Sequence, residues 1–126
     1  QAHTPKLAFL APPKPCIAAG GKQVPADEID VLARIMSMGR LHHAMTGTGA
    51  VAIAAAAAIP GTVVARLART GAGGQIRIGH ASGVLAAGAE ARKTDNGWHV
   101  SKVVTSRSAR RLMVGEVFPA PQAPGA

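Results

Sequence analysis

Aromatic residues are nearly missing from this chain of 126 residues: there is no tyrosine, and there are two phenylalanines and one tryptophan. That excludes a core organised on large rings. It also weakens any reading as a single-strand nucleic-acid platform, because such surfaces stack bases on aromatic side chains. Cysteine is represented by Cys16 alone, which excludes an internal disulfide and a cysteine-cluster metal site. Acidic residues are scarce, and none lies between Asp30 and Glu90. His42 and His43 therefore have no carboxylate near them in sequence. As adjacent residues they are expected to point to different sides in either a helix or a strand, so no metal is expected there. Nothing between Gln1 and Pro15 forms a continuous apolar stretch. No secretory leader is read there, and a cytoplasmic chain is expected.

What remains to build a core is alanine, valine, leucine and isoleucine. Hydrophobic residues make up 48% of the chain, enough to exclude wholesale disorder. Small side chains bring less apolar area each, so this composition alone would give a marginal fold. The net charge of +8 invites a nucleic-acid reading. The basic residues are scattered from Lys6 to Arg111, however, with Arg107, Arg110 and Arg111 the densest group. Balance by an anionic substrate or an acidic partner segment is the preferred reading, and no nucleic-acid partner is expected. From Leu41 to Ala65 no residue is formally charged. The helical part, Thr48 to Ile59, would be only about 18 Å long, and Pro60-Gly61 cuts it. A buried core helix fits, and no membrane span is expected.

Along the chain, Lys6 to Ala11 reads as a buried strand stopped by Pro12, Pro13 and Pro15. Lys14 to Val24 reads as a loop. Pro25 would open a helix running to about Met38, with Asp27 and Glu28 in its first turn. Ile29, Leu32, Ala33 and Met36 would form its apolar face and Gly39 its stop. After a short extended stretch, Thr46-Gly47-Thr48-Gly49 makes a turn into a helix from Ala50 to Ile59. That helix is apolar all round, so burial on all sides by a curved sheet is expected. The rest reads as β: Gln75 to Gly79, Val84 to Ala91, a hairpin signal at Asn96-Gly97, Trp98 to Val104, and a last strand from Arg111 to Phe118. Residues 119–126 read as a flexible tail.

The sharpest chemical feature is the run from Leu41 to Ala50 at a helix start. A helix N-terminus presents unpaired backbone N–H groups at a positive dipole end. Gly47 and Gly49 let a ligand approach the backbone, and Thr46 and Thr48 add hydroxyls. This is a ready cradle for a carboxylate or phosphate. The same residues would also suit a Thr48 cap with glycines for close packing. A dinucleotide fingerprint is disfavoured, because no clear core strand precedes Gly47-x-Gly49-x-x-Ala52 and no acidic residue follows about 20 positions later.

Several stretches, in order, resemble the 2-methylaconitate cis-trans isomerase and 4-oxalomesaconate tautomerase family. They are Thr4–Pro13 (TPKLAFLAPP), Ser37–Met45 (SMGRLHHAM), Thr46–Ile53 (TGTGAVAI), Ala58–Thr62 (AIPGT), Gly79–Gly83 (GHASG) and Ser106–Gly115 (SRSARRLMVG). The resemblance covers nearly the whole chain. It implies an α/β (α+β) fold like that of diaminopimelate epimerase, in which a curved mixed or antiparallel sheet wraps a buried central helix. Residues 1–118 would be the C-terminal part of such a domain. It further implies a bacterial, cytoplasmic isomerase of propionate catabolism, acting without a cofactor on a small tri- or dicarboxylate held between two domains.

The resemblance also assigns residues. Where epimerase relatives carry a catalytic cysteine just before Gly-Thr-Gly, this sequence has Thr46, whose hydroxyl is a poor acid or base near pH 7. The relatives' glutamate falls on His42, their neighbouring threonine on His43 and an asparagine on Lys6. The sequence matches the isomerase branch, whose proton-transferring lysine and cysteine are implied to lie on an N-terminal domain; Cys16 is not taken for that cysteine. The expected substrate contacts are Thr46, Gly47, Thr48 and Gly49, with His42, His43, Lys6 and Ser82 beside them. Expected partners are the missing N-terminal domain or a self-associated copy. A non-catalytic carboxylate-binding or assembly module is the rival reading.

Overall fold

The computed structural model describes residues 5–69 and 74–119. Leu7–Ala11 forms β1, halted by the prolines as expected, but it is an edge strand and not a buried one, with Leu7 and Phe9 exposed. The expected loop that follows contains a small hairpin, β2 (Cys16–Ile17) with β3 (Gln23–Val24). The expected helix from Pro25 to Met38 is not formed. Pro25 opens only a single 3-10 turn, Ala26–Glu28, and the chain then becomes strand β4, Val31–Ser37. Val31, Ala33 and Ile35 are buried, with partly exposed Leu32, Arg34 and Met36 between them. This period of two competed with the helical spacing and prevailed, because β-branched Val31 and Ile35 pack well on a pleated surface. Gly39 does not stop a helix. With Met38 it makes a two-residue hairpin turn, at φ 75° and 54°, into β5 (Arg40–Leu41).

α1 runs from Gly47 to Ala57 and α2, a short helix, from Val63 to Leu67. Then come β6 (Gln75–His80), β7 (Gly83–Thr94) and β8 (Gly97–Thr105). The turn joining β7 to β8 uses Asp95 and Asn96, one position earlier than the hairpin signal, with Thr94 opposite Gly97. The main sheet has the order β1-β4-β6-β7-β8, with β5 on β4. All its pairs are antiparallel except β4 with β6, which α1 and α2 connect as a crossover. The sheet curls around α1, which packs on β6, β7 and β8. Val31, Ala33, Ile35, Ile53, Ile76 and Ile78 fill the space between them. On the other face, Ala18, Val24 and Ile29 form a smaller cluster under the β2–β3 hairpin.

Two expectations need correction. α1 is not buried on all sides: Gly49, Ala50, Ile53 and Ala54 are buried, whereas Thr48 and Ala52 are exposed and Val51, Ala55, Ala56 and Ala57 are half-buried. The sheet formed by these residues embraces only part of the helix circumference. The expected last strand, Arg111 to Phe118, has no regular structure and pairs with no described strand. The tail expected at 119–126 falls outside the described residues from 120 onward. Among the described residues no helix is long and apolar enough to cross a membrane.

Asp30 locks the start of β4 to β6. Its buried carboxylate accepts from the Arg77 backbone N–H at 2.7 Å, from Nε at 3.1 Å and from Nη2 at 2.7 Å. Burial pushes the carboxyl upward, but the hydrogen bonds and charge of Arg77 outweigh it and hold the group below its ordinary 3.8. A lowered folded pKa gives stability that is present above the unfolded value and lost as pH falls. Urea midpoints should therefore drop as pH falls below 3.8, and Asp30→Asn should flatten that drop. The loss in the variant at neutral pH should be about 1 kcal/mol, below the usual range for charged hydrogen bonds, because the half-exposed Arg77 is screened by solvent. An Asp30→Asn profile parallel to the parent's would remove this role.

Candidate functional site

The first turn of α1 follows from its sequence. Thr46 is the N-cap, with extended backbone, and its Oγ1 accepts from the Gly49 N–H at 3.1 Å. The cap is therefore Thr46, and Thr48 is left free for other contacts. The N–H groups of Gly47 and Thr48 stand at the positive end of the helix, whose first turn holds no acidic residue.

Two cations meet there. Lys6, just before β1, donates from Nζ to Thr48 Oγ1 at 3.1 Å. Arg107, just beyond β8, lies over Gly47: a methyl group added to Gly47 would sit 2.9 Å from its Nη2. A cation beside a helix N-terminus is normally unfavourable by about 0.3–1 kcal/mol, and here there are two. Among the described residues neither is paired with a carboxylate. Both side chains are exposed to solvent, and an anion placed between them would meet two positive charges and the helix start. Beside Lys6 and Thr48 a cavity of about 290 Å³ opens, lined also by Ala8, Ile35, Ala52 and Ile53. It offers a charged mouth and an apolar wall.

The histidines form a second group. His42 and His43 do not diverge as expected. The chain turns there, and their rings stack with centroids 4.7 Å apart. The His42 N–H donates to Ile35 O at 2.8 Å, and its Nδ1 accepts from the Ala44 N–H at 3.1 Å. Ser82 lies in the turn between β6 and β7. Its hydroxyl donates to the His43 carbonyl, and its N–H donates to Nδ1 of His80 at 3.1 Å. His80 is buried, and burial, with Arg34 and His42 nearby, pulls its pKa below 6.5. These bonds tie the β6–β7 turn to the segment that enters α1.

The profile of the family described as PrpF protein matches residues 1–120. The chain belongs to the PrpF protein family. It is 54% identical over 115 residues to a 2-methyl-aconitate isomerase of Shewanella oneidensis, covering 91% of this chain and 29% of that protein. It is 34% identical over 116 residues to a 3-methylitaconate isomerase of Eubacterium barkeri, covering 90% of this chain and 30% of that one. Its structure resembles the crystal structure of a methylitaconate-delta-isomerase with a TM-score of 0.72 and 30% identity, over 97% of this chain and 34% of that chain. The curled mixed sheet around a helix is therefore this family's diaminopimelate epimerase-like fold. The PrpF-family chain spans less than a third of the length of the curated relatives it matches.

Within this PrpF-family segment, Lys6, Thr46, Gly47, Thr48 and Gly49 come together. His42, His43 and Ser82 form the adjoining group, and no hydrogen bond links their side chains to the cradle among the described residues. Arg107 and His80 were missed as site residues. Both lie in stretches that carry the family resemblance, and Arg107 heads the densest basic group. Its arrival 60 residues downstream of the cradle depends on the path of β7 and β8, which no local pattern specifies. Cys16 lies in β2, packed with the outer cluster on the opposite face of the sheet from α1. A larger cavity, about 780 Å³, lies at the other end of α1 between Ala57, Arg66 and Glu90. Its lining holds one cation, Arg66, beside the carboxylate of Glu90, and no helix start.

Proposed function

We propose that this chain supplies the carboxylate-binding half of the active site of an isomerase that shifts a double bond by proton transfer, without a cofactor, in a small tri- or dicarboxylate such as 2-methylaconitate. The observation that carries this reading is the convergence of Lys6 and Arg107 on the uncapped N–H groups at the start of α1. A substrate carboxylate there would accept from Gly47 and Thr48 N–H and offset one of the two positive charges, with its carbon skeleton against Ala8, Ala52 and Ile53. The names of the Shewanella and Eubacterium relatives support the substrate class: both act on methyl-bearing unsaturated acids.

The chain's own groups fit binding better than proton transfer. Threonine hydroxyls are poor acids and poor bases near pH 7, and Cys16 is on the far face. The acid and base would then come from the part of the family polypeptide that this chain does not span. The same observation favours the rival reading, a carboxylate-binding module without turnover, wherever the chain acts alone.

The test is titration of the chain with 2-methylaconitate in ordinary water, followed by backbone amide NMR, with a parallel incubation in deuterated water to detect exchange into the ligand. Saturable shifts at Gly47 and Thr48 are expected, with no deuterium entering the ligand. Lys6→Met or Arg107→Ala should weaken binding about tenfold or more, the value of one charged hydrogen bond. Absence of a saturable shift would sink the cradle. In an enzyme where this chain is joined to the remaining domain, Thr46→Val should weaken substrate binding more than it slows proton exchange. An equal or greater loss in exchange would contradict the binding role.

A further inference from the structure

Two histidine side chains hold backbone in the same way. Nδ1 of His80 accepts from the Ser82 N–H at 3.1 Å, and Nδ1 of His42 accepts from the Ala44 N–H at 3.1 Å. A backbone N–H can only donate, so each Nδ1 presents its lone pair and each neutral ring carries its proton on Nε2. A bond from a side chain to the N–H two residues on is the one an asparagine makes in an Asx-turn. An amide side chain would make it at every pH. An imidazole makes it only while neutral, because protonation sets a second donor in front of the N–H.

The turn that His80 anchors is tied to two other parts of the chain. Ala81 and Ser82 join β6 to β7, with His80 opposite Gly83. The Ala81 carbonyl accepts from the Ala19 N–H at 2.7 Å, and the Ser82 hydroxyl donates to the His43 carbonyl. Three residues after His43, Thr46 caps α1 by accepting from the Gly49 N–H. The imidazole of His80 thus fixes Ser82, and Ser82 fixes the segment that sets the helix start.

The surroundings of His80 disfavour a positive charge. The residue is buried. Burial pulls its pKa below 6.5, and Arg34 from β4 and His42 from the segment entering α1 add to the shift. The other elements around it bring no free carboxylate. α1 holds no titratable side chain, and β7 holds none before Glu90. Lys22 follows the 3-10 turn, Ala19–Gly21, that donates to Ala81. On β6 itself, Arg77 is bound to Asp30.

We propose that His80 is a positioning residue and the pin of an acid-sensitive clasp: its neutral imidazole holds the β6–β7 turn on the segment entering α1, and protonation releases that segment. With a lowered folded pKa, the clasp contributes fully above 6.5 and is lost as pH falls through the lower folded value. The inference does not depend on the carboxylate reading, because the clasp operates in the chain without ligand.

NMR of the chain of 126 residues tests it between about pH 8 and about pH 5. At the upper limit the His80 ring should carry its proton on Nε2. On acidification the His80 ring and the Ser82 and Gly49 amides should titrate with one midpoint, below 6.5. Hydrogen-exchange protection of those amides, corrected for the intrinsic rate, should fall by up to about tenfold per pH unit, as one proton requires. His80→Asn keeps an acceptor for the Ser82 N–H but does not titrate, so its protection should stay level over the same range. His80→Ala should lack that protection throughout. A proton on Nδ1 at about pH 8 would overturn the inference, as would Ser82 or Gly49 amides that titrate apart from the His80 ring; both are read on the parent chain, whether or not a variant folds. A fall that persists in His80→Asn would also overturn it, by assigning the acid response to another group.

Discussion

Gly49→Ala is expected to destabilise the fold by about 1–3 kcal/mol, the usual range for an overpacked core. Helix propensity alone predicts the opposite sign, since alanine is favoured over glycine by about 1 kcal/mol in a helix. Sterics decide. A Cβ at this position would stand 2.5 Å from Ile35 Cδ1 and 2.6 Å from Thr46 Oγ1. Ile35 is buried in β4 and has little room to turn away. Thr46 Oγ1 is the cap acceptor for Gly49 itself, so a shift of Thr46 breaks the bond that fixes the first turn. The substitution should then lower the urea midpoint and weaken carboxylate binding together. A variant as stable as its parent, with affinity intact, would mean that the close approach is relaxed at no cost and that Gly49 is dispensable to the cradle.

Ile78→Ala should cost more, about 2–5 kcal/mol. Ile78 is fully buried, opposite Val31 of β4 and Leu85 of β7, and packs in the main cluster with Ile35 and Ile53. Five of the eleven other residues of that cluster are alanines, too short to close the space that is left. A domain of ordinary stability has about 5–15 kcal/mol in total, and this loss would take a large share of it. Equilibrium unfolding in urea is the measurement. Ile78→Val, which removes one methyl group, should lose only about 0.5–1.5 kcal/mol. Equal losses for the two variants would show that the site collapses around the deletion.

The parts of the fold that were legible in the sequence are those where one signal stood without a competitor. The prolines after β1, the Pro60-Gly61 break after α1 and the turn before β8 each admit one local solution. The β4 region did not. Ile29, Leu32, Ala33 and Met36 fit a helical stripe while Val31, Ala33 and Ile35 fit a strand, and only the slots beside β1 and β6 choose between them. The cradle was half legible. Its threonines and glycines are contiguous and lie at a helix start, so Thr46 to Gly49 could be picked out. Lys6 came from the family resemblance. Arg107 had no comparable signal, because its position depends on two long strands. The stacking of His42 on His43 likewise follows from a bend that neither helix nor strand geometry anticipates.

The parallel join between β4 and β6 has only two register positions, Val31 with Ile78 and Leu32 with Gly79. On one side lie β1, β4 and β5. On the other lies the β6–β7–β8 meander, whose pairings are local and need little loop closure. Asp30 and Arg77 bridge this seam. The cradle draws Lys6 from the first side, Thr48 from the crossover helix and Arg107 from beyond the second. Its geometry therefore exists only after the seam has closed. The meander can nucleate early, but the anion site is expected to be the last feature to mature, so ligand competence would report the completion of folding rather than its onset.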